Sequence, residues 1–376
     1  MQSSLYQNPT HRIFGEGAFN ALPEILKSYA PKIVLLVLGE KSFRESPAFS
    51  KLLEFLKPYE VLSGAPISQN PSQKFLQEEI DGLRDTPFDL VLAIGGGSVI
   101  DAGKLYAFFP RNPNPDIDAF VHDPAHSLRS VPVPLIAVPT TSGTGSEVTP
   151  YSSIETPEKK KITVGHSLFY PAVAIIDPEL TYSMPGYVTA STGFDALSQA
   201  IESYWSRNAT PFSQTHALRA IDLIEGSFEK AFQEPRNVEA RKAMALASCE
   251  AGLAIAHTKT TAVHSVSYPV TAHFGVAHGH ACALTLAEFV RFNAPVLKDS
   301  GLGMTRAFKT NDYESMAKKI ELFMDKVSLE RSLFRLGINE EGAKLILRDG
   351  FRPDRILNNP RKVESQDLEK ILYTIR

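Results

Sequence analysis

Two cysteines, Cys249 and Cys282, and a single tryptophan stand in a chain of 376 residues. So few cysteines imply neither a disulfide framework nor a thiolate metal cluster, and a reducing, cytoplasmic setting is expected. Long apolar runs are missing as well. The longest, such as IVLLVL at 33–38, are far too short to cross a bilayer. The first residues, MQSSLYQNPTHRIF, lack the charged-then-apolar layout of a signal peptide. No basic stripe or block of like charge occurs and the net charge is −3, so neither nucleic acid nor a membrane surface is an expected partner. With 43% hydrophobic and 22% charged residues the composition is that of a globular protein, and the length suits two domains.

What is present divides at about residue 184. Before it, apolar runs alternate with helical patterns. KIVLLVLG (32–39), YEVLSG (59–64), FDLVLAIGGGS (88–98) and VPLIAVPTT (133–141) read as strands, and SPAFSKLLEFLKPY and SQKFLQEEIDGLRD (72–85) read as helices. That order predicts a parallel sheet covered by helices on both faces. After DPELTYSMPGY (177–187) the texture is helical: 189–206, 210–232, 238–268 and segments near 313–336 and 339–349 carry helix spacing. The expected organisation is an α/β domain over 1–184 and an all-helical domain over 185–376, with a cleft between them as the default active site.

Three stretches have the composition of chemistry. GGGSVIDAGK (95–104) follows a buried strand, so glycines let the backbone approach a ligand and the helix beginning near Val99 offers free N–H groups to a phosphate. It is not the G-x-G-x-x-G fingerprint, because Ile100 stands at the last glycine, and read alone it is also a plain tight turn. PTTSGTGSEVT (139–149) is a second glycine- and hydroxyl-rich loop after a buried strand, otherwise a polar surface loop. Asp195 and Gln199 in GFDALSQAIESY share one face of a helix, although an isolated Asp near a helix start is usually a cap. VHSVSYPVTAHFGVAHGH (263–280) holds four of the ten histidines. His264 and His278 flank a break in the helical pattern and can converge on one point, where two imidazoles and a carboxylate suit zinc or iron(II). A lone histidine is otherwise a packed core or surface residue.

In combination, GGGSVIDAGK, PTTSGTGSEVT, PAVAIIDPEL (171–180), GFDALSQAIESY and the histidine-rich stretch resemble the iron-containing alcohol dehydrogenases, in that family's order. The match runs from RIFGEGAFNALPEIL (12–26) to NNPR (358–361). The resemblance implies a dehydroquinate synthase-like architecture, with a Rossmann-like α/β dinucleotide-binding domain and an all-α metal and substrate domain. It implies that Gly95, Gly96, Gly97 and Ser98 cradle a pyrophosphate, and that Thr140, Thr141, Thr144 and Lys161 line the rest of the cofactor. Asp101 and Leu180 also fall among the cofactor-binding positions. Asp195, His264 and His278 fall on the family's metal ligands, leaving His273 and His280 as supporting or structural residues.

Two positions depart from the family pattern. Gln199 stands where the fourth ligand is a histidine; a carboxamide binds late divalent metals less well, so iron or zinc is expected to be weakly held. Tyr268 stands where a second histidine lies, and is either a proton relay in its place or a packing residue. The implied reaction is hydride transfer between NAD(P) and a small alcohol or aldehyde, with the metal polarising the carbonyl.

Gly39 occupies the place of the aspartate that selects NAD, and Lys41, Ser42 and Arg44 follow it, whereas Glu40 argues the other way; the balance favours NADP(H). Residues 257–286 look most like the phosphonoacetaldehyde reductase branch, for which a buried Lys259 would meet an anionic tail. Two rivals are a sugar-phosphate cyclase-like lyase and a catalytically silent nucleotide-binding protein. A homodimer is the expected assembly.

Overall fold

The structure, a computed structural model, describes residues 6–112, 116–122, 131–297 and 302–376. The chain packs as two compact units. One comprises Gln7–Thr141 and Ser146–Ser183; the other comprises Met184–Arg376 together with Tyr6 and the short stretch Ser142–Gly145.

The first unit is built on six parallel strands: β1 (His11–Phe14), β2 (Ile33–Leu38), β3 (Glu60–Ser63), β4 (Leu90–Gly95), β5 (Leu135–Pro139) and β8 (Val173–Ile176), in the order β1-β8-β5-β4-β2-β3. The hairpin of β6 (Tyr151–Glu155) and β7 (Lys161–Gly165) lies apart from that sheet. All six residues of β4 and all of β5 and β8 are buried, because helices cover both sheet faces. Alternation along the strands sorts the core. Leu35, Val37, Val91 and Ala93 meet Leu76 and Ile80 of α3 (Gln73–Leu83) and Val99 and Leu105 of α4 (Gly97–Phe108). Val34, Leu36, Leu38, Leu92 and Ile94 meet Leu22 and Leu26 of α1 (Leu22–Tyr29) and Leu52 and Leu56 of α2 (Pro47–Leu56) on the other face. Removing one such buried leucine would cost about 2–5 kcal/mol.

From β2 the chain winds outward to β3, and from β4 it winds the other way to β5. The carboxyl ends of β2 and β4 therefore flank the point where the winding reverses, which is where open α/β sheets bind ligands.

Among its described residues the second unit contains no strand. The short helix α5 (Ile117–His122) closes the helices of the first unit; α6 (Gly186–Trp205), α7 (Pro211–Gln233), α8 (Val238–Thr258), α9 (Ala262–Phe274) and α10 (His278–Leu297) form the centre of the second. The helical pattern at 238–268, which the sequence presents as one run, breaks after Thr258. Lys259 adopts φ 57° and ends α8, and α9 starts at Ala262. Sixteen of the twenty residues of α6 are buried, polar ones included. An all-round buried helix with polar side chains must satisfy them internally. No helix among the described residues is long and apolar enough to cross a membrane.

Candidate active site

Three helices converge on the Asp195 carboxylate. Asp195 and Gln199 lie one turn apart on α6, His264 sits in the first turn of α9, and His278 opens α10. His264 Nε2 stands 3.4 Å and His278 Nε2 3.9 Å from the same oxygen, Asp195 Oδ1. The other nitrogen of each ring is committed elsewhere. His264 Nδ1 meets the Glu202 carboxylate. His278 Nδ1 lies 3.4 Å from Ser267 Oγ, whose own proton goes to the His264 carbonyl at 2.9 Å. A hydroxyl has one proton, so Ser267 accepts from His278. Both rings thus carry their proton on Nδ1 and present Nε2 to Asp195, the arrangement of a metal-binding imidazole.

Glu202 is anchored in turn. Fully buried, it accepts from the backbone N–H groups of Thr261 at 2.9 Å and Val263 at 3.0 Å and from the Thr261 hydroxyl at 2.6 Å. This residue escaped the sequence reading. The signal was there: Asp195, Gln199 and Glu202 fall at i, i+4 and i+7, so the acidic and amide side chains of α6 share one face.

Cys282 escaped it too. One turn beyond His278 on α10, it brings Sγ into the same space, so that donor atoms of Asp195, His264, His278 and Cys282 all lie within 4.8 Å of one another. α10 comes this near because position 279 is glycine. A Cβ there would fall 1.8 Å from the Ser191 carbonyl oxygen and 2.9 Å from Asp195 Cβ.

Gln199 does not turn its oxygen to Asp195. Its Nε2 donates to Asp195 Oδ1 at 3.2 Å, and Oε1 is buried without a hydrogen-bond partner. His264 Nε2 is likewise buried and makes no hydrogen bond. Burial opposes charge on His264, yet the carboxylates of Glu202 and Asp195 around it prevail and hold its pKa well above the usual value, while burial pushes the neighbouring Cys282 thiol up. A pocket of acidic donors that draws a proton to an orphaned imidazole nitrogen has the chemistry of a divalent-cation site, and the residues fit one.

Tyr268 is buried and stacks on His278, ring centroids 5.7 Å apart at 21°. The Arg352 guanidinium covers its ring at 5.3 Å. Lys259 does not serve as the expected buried cation. Its left-handed backbone at the end of α8 turns the side chain into solvent, so it is exposed. His273 pairs with Asp349 at 2.9 Å, and His280 joins the Glu330 carbonyl at 2.7 Å and Tyr187 at 3.2 Å; both serve packing.

In the first unit, Gly95 ends β4, Gly96 precedes α4, and no side chain caps the helix that begins at Gly97. Its first-turn N–H groups and a dipole of roughly half a charge face outward from the strand ends, a site for a phosphate. The Thr140 N–H donates to the Gly95 carbonyl at 3.0 Å, tying the second loop to the first. Ser98 Oγ accepts the Asn70 N–H at 3.2 Å. Gly39 follows β2, with the Arg44 Nε donating to its carbonyl at 3.2 Å. Thr141 lies over Gly96: a Cβ on the glycine would stand 3.5 Å from its hydroxyl. Lys161 opens β7, half-buried, and Leu180 packs partly buried against the sheet core.

Two expected cofactor residues stand differently. Asp101 is engaged within the protein. It accepts from Ser146 Oγ at 2.5 Å, the Ser153 N–H at 2.8 Å and the buried Lys104 ammonium at 3.4 Å, so it braces α4 against the chain after the second loop. Thr144 belongs to the helical unit, within the stretch Ser142–Gly145.

The sequence pattern of iron-containing alcohol dehydrogenase matches residues 9–178, and that of the Fe-containing alcohol dehydrogenase family, C-terminal, matches 189–375. Long-chain-alcohol dehydrogenase 1 of Geobacillus thermodenitrificans is 36% identical over 282 residues, 73% of this chain and 71% of its own. Phosphonoacetaldehyde reductase of Streptomyces viridochromogenes is 32% identical over 256 residues, 67% of this chain and 64% of its own. The crystal structure of sulfoacetaldehyde reductase from Bifidobacterium kashiwanohense in complex with NAD+ superposes with a TM-score of 0.92 at 32% identity, covering 100% of this chain and 99% of that one. The chain belongs to the iron-containing alcohol dehydrogenase family. It is an oxidoreductase that works with NAD(P) on small alcohols and aldehydes.

Proposed function

We propose that the chain reduces a short aldehyde carrying an anionic phosphonate or sulfonate tail, with NADPH as the preferred hydride donor. The observation that carries the site assignment is the convergence of two Nε2 atoms, each with its Nδ1 proton held, on one buried carboxylate oxygen. In this reading Asp195, His264 and His278 hold the cation, Gln199 steadies Asp195 through its N–H, and Tyr268 keeps the His278 ring in place. A divalent cation bound there supplies Lewis-acid polarisation of the carbonyl. Gly95–Ser98 hold the pyrophosphate by backbone N–H groups and a hydroxyl, and Thr140, Thr141, Lys161 and Leu180 line the rest of the cofactor.

The anionic tail is supported by the likeness to the two reductases of phosphonoacetaldehyde and sulfoacetaldehyde and by a cation, Arg352, stacked one ring away from a proposed metal ligand. The NADPH preference is supported by the glycine at 39, where an acidic side chain would accept a ribose hydroxyl, and by Arg44 beside it. A homodimer, on family resemblance, and a cytoplasmic setting, on a chain with only two cysteines, both buried, complete the proposal.

The test is a set of initial rates with NADPH and NADH on metal-loaded protein, comparing phosphonoacetaldehyde and sulfoacetaldehyde with neutral aldehydes of similar length. A kcat/KM at least tenfold higher for an anionic aldehyde is expected. Equal or better turnover of the neutral ones would overturn the substrate reading.

A further inference from the structure

We propose that Cys282 supplies a sulfur donor to the metal, in the role that Gln199 is too poor a ligand to fill. The inference rests on the metal-site reading above and adds an assignment to it.

Geometry argues first. A tetrahedral zinc bonded at ~2.0–2.3 Å spaces its donors roughly 3.3–3.8 Å apart. The pair His264 Nε2 and Asp195 Oδ1 already stands at 3.4 Å and the pair His278 Nε2 and Asp195 Oδ1 at 3.9 Å. Cys282 Sγ falls within 4.8 Å of all three, so a contraction of about an ångström completes the shell. The contraction needs no new backbone path. His278 and Cys282 project from one face of α10, one turn apart, and the glycine between them already seats that helix against α6.

The surroundings argue next. Cys282 is fully buried, and the nearby His264 Nε2 is buried and has no hydrogen-bond partner, an orphan aimed into the same small space. Leaving such a nitrogen unmet is costly, and a cation bound among these donors removes that cost. Gln199 turns its amide nitrogen to Asp195, donating to Oδ1.

Donor chemistry decides between the two candidates. A carboxamide oxygen is neutral and hard, whereas a thiolate is charged and soft and binds zinc and cobalt strongly. With one carboxylate, two imidazoles and one thiolate, the site favours zinc over iron(II) by more than the family's oxygen- and nitrogen-only set would.

The experiment uses the full chain loaded with cobalt(II). Wild type and Cys249→Ser are expected to show sulfur-to-cobalt charge-transfer absorption in the near ultraviolet, and Cys282→Ser to lose it while keeping the visible ligand-field bands. With only two cysteines in the chain, the band has one assignment. Zinc affinity, measured by competition with a chromophoric chelator, is expected to fall at least tenfold in Cys282→Ser and less than threefold in Gln199→Ala. A wild type without the charge-transfer band, or a Gln199→Ala loss larger than that of Cys282→Ser, overturns the proposal.

Should Cys282→Ser fail to fold, zinc-edge X-ray absorption on the wild type replaces it. One sulfur near ~2.3 Å supports the proposal, and nitrogen and oxygen alone at ~2.0–2.1 Å overturn it. An active protein without the sulfur sinks this inference and leaves the reductase reading standing; a sulfur-bound metal in a protein inert towards every aldehyde does the reverse.

Discussion

The Nδ1 nitrogen of His264 is joined to the carboxylate of Glu202, 62 positions earlier in the chain, and that bond decides which face of the imidazole looks at Asp195. Because Glu202 also receives three donors from the start of α9, it places the helix and the ring together. Glu202→Gln removes the charge that favours an Nδ1 proton. Metal affinity is expected to fall by about 10–100-fold, with kcat following metal occupancy. Chelator competition on the folded variant measures it; unchanged affinity would mean that the carboxylate only packs.

Asp195→Ala should leave the metal content at background and lose turnover in step. Asp195 is the point on which both Nε2 atoms converge, so its removal takes away the one carboxylate they share. Elemental analysis and the aldehyde assay on the same preparation check this, and retention of both metal and activity would refute its place in the site.

Gly39→Asp places a carboxylate at the end of β2, where it would accept a ribose hydroxyl and repel a 2′-phosphate. The ratio of kcat/KM for NADH to that for NADPH is expected to rise at least tenfold. A ratio that does not move would show that the adenosine ribose lies elsewhere.

Glu147 gives a pH dependence. Its carboxyl is wholly buried, and burial lifts its pKa to about 7 despite the nearby Lys104. A raised folded-state pKa contributes stability that is fully present below the ordinary value near 4.5 and fades as pH climbs through about 7. At pH 8 the loss amounts to about 3 kcal/mol at most. Melting temperature should therefore decline between pH 5 and pH 8 in the wild type and decline less in Glu147→Gln. Parallel curves for the two proteins would exclude Glu147 as the source.

How much of this was legible beforehand depends on what each residue's job requires. The strands β2, β4 and β5 were readable because burial on both faces leaves continuous apolar runs. The short edge strand β1 and the hairpin of β6 and β7 carry no such run. Asp195, His264 and His278 were readable because their residue types and order carry the family resemblance. Glu202 was not, since a glutamate on a helix ordinarily faces water; its burial follows from α9 packing on α6, which local sequence does not encode. Cys282 was passed over on a count of cysteines, although a ligand set needs only one thiol among other donors. Lys259 lies between threonines that the fold buries, and the positive φ at the end of α8, which no local pattern announces, accompanies its exposure. Asp101 sits where a cofactor contact is expected, but it is held by Ser146, Ser153 and Lys104, residues brought to it by the fold.

The seam between α6 and α10 has a consequence for how this protein can change over generations. At Gly279 any side chain at all would overlap the Ser191 carbonyl, a backbone atom that cannot rotate aside. Every amino-acid replacement of a glycine adds a carbon at that point, so each mutational step away from position 279 pushes the helix bearing His278 and Cys282 off the one bearing Asp195. The residue at 199, a glutamine where the family pattern has a histidine, shows that a position around the centre can change while the helices stay where they are. The hydrogen atom at 279 has no substitute, and it sets the boundary within which such change can occur.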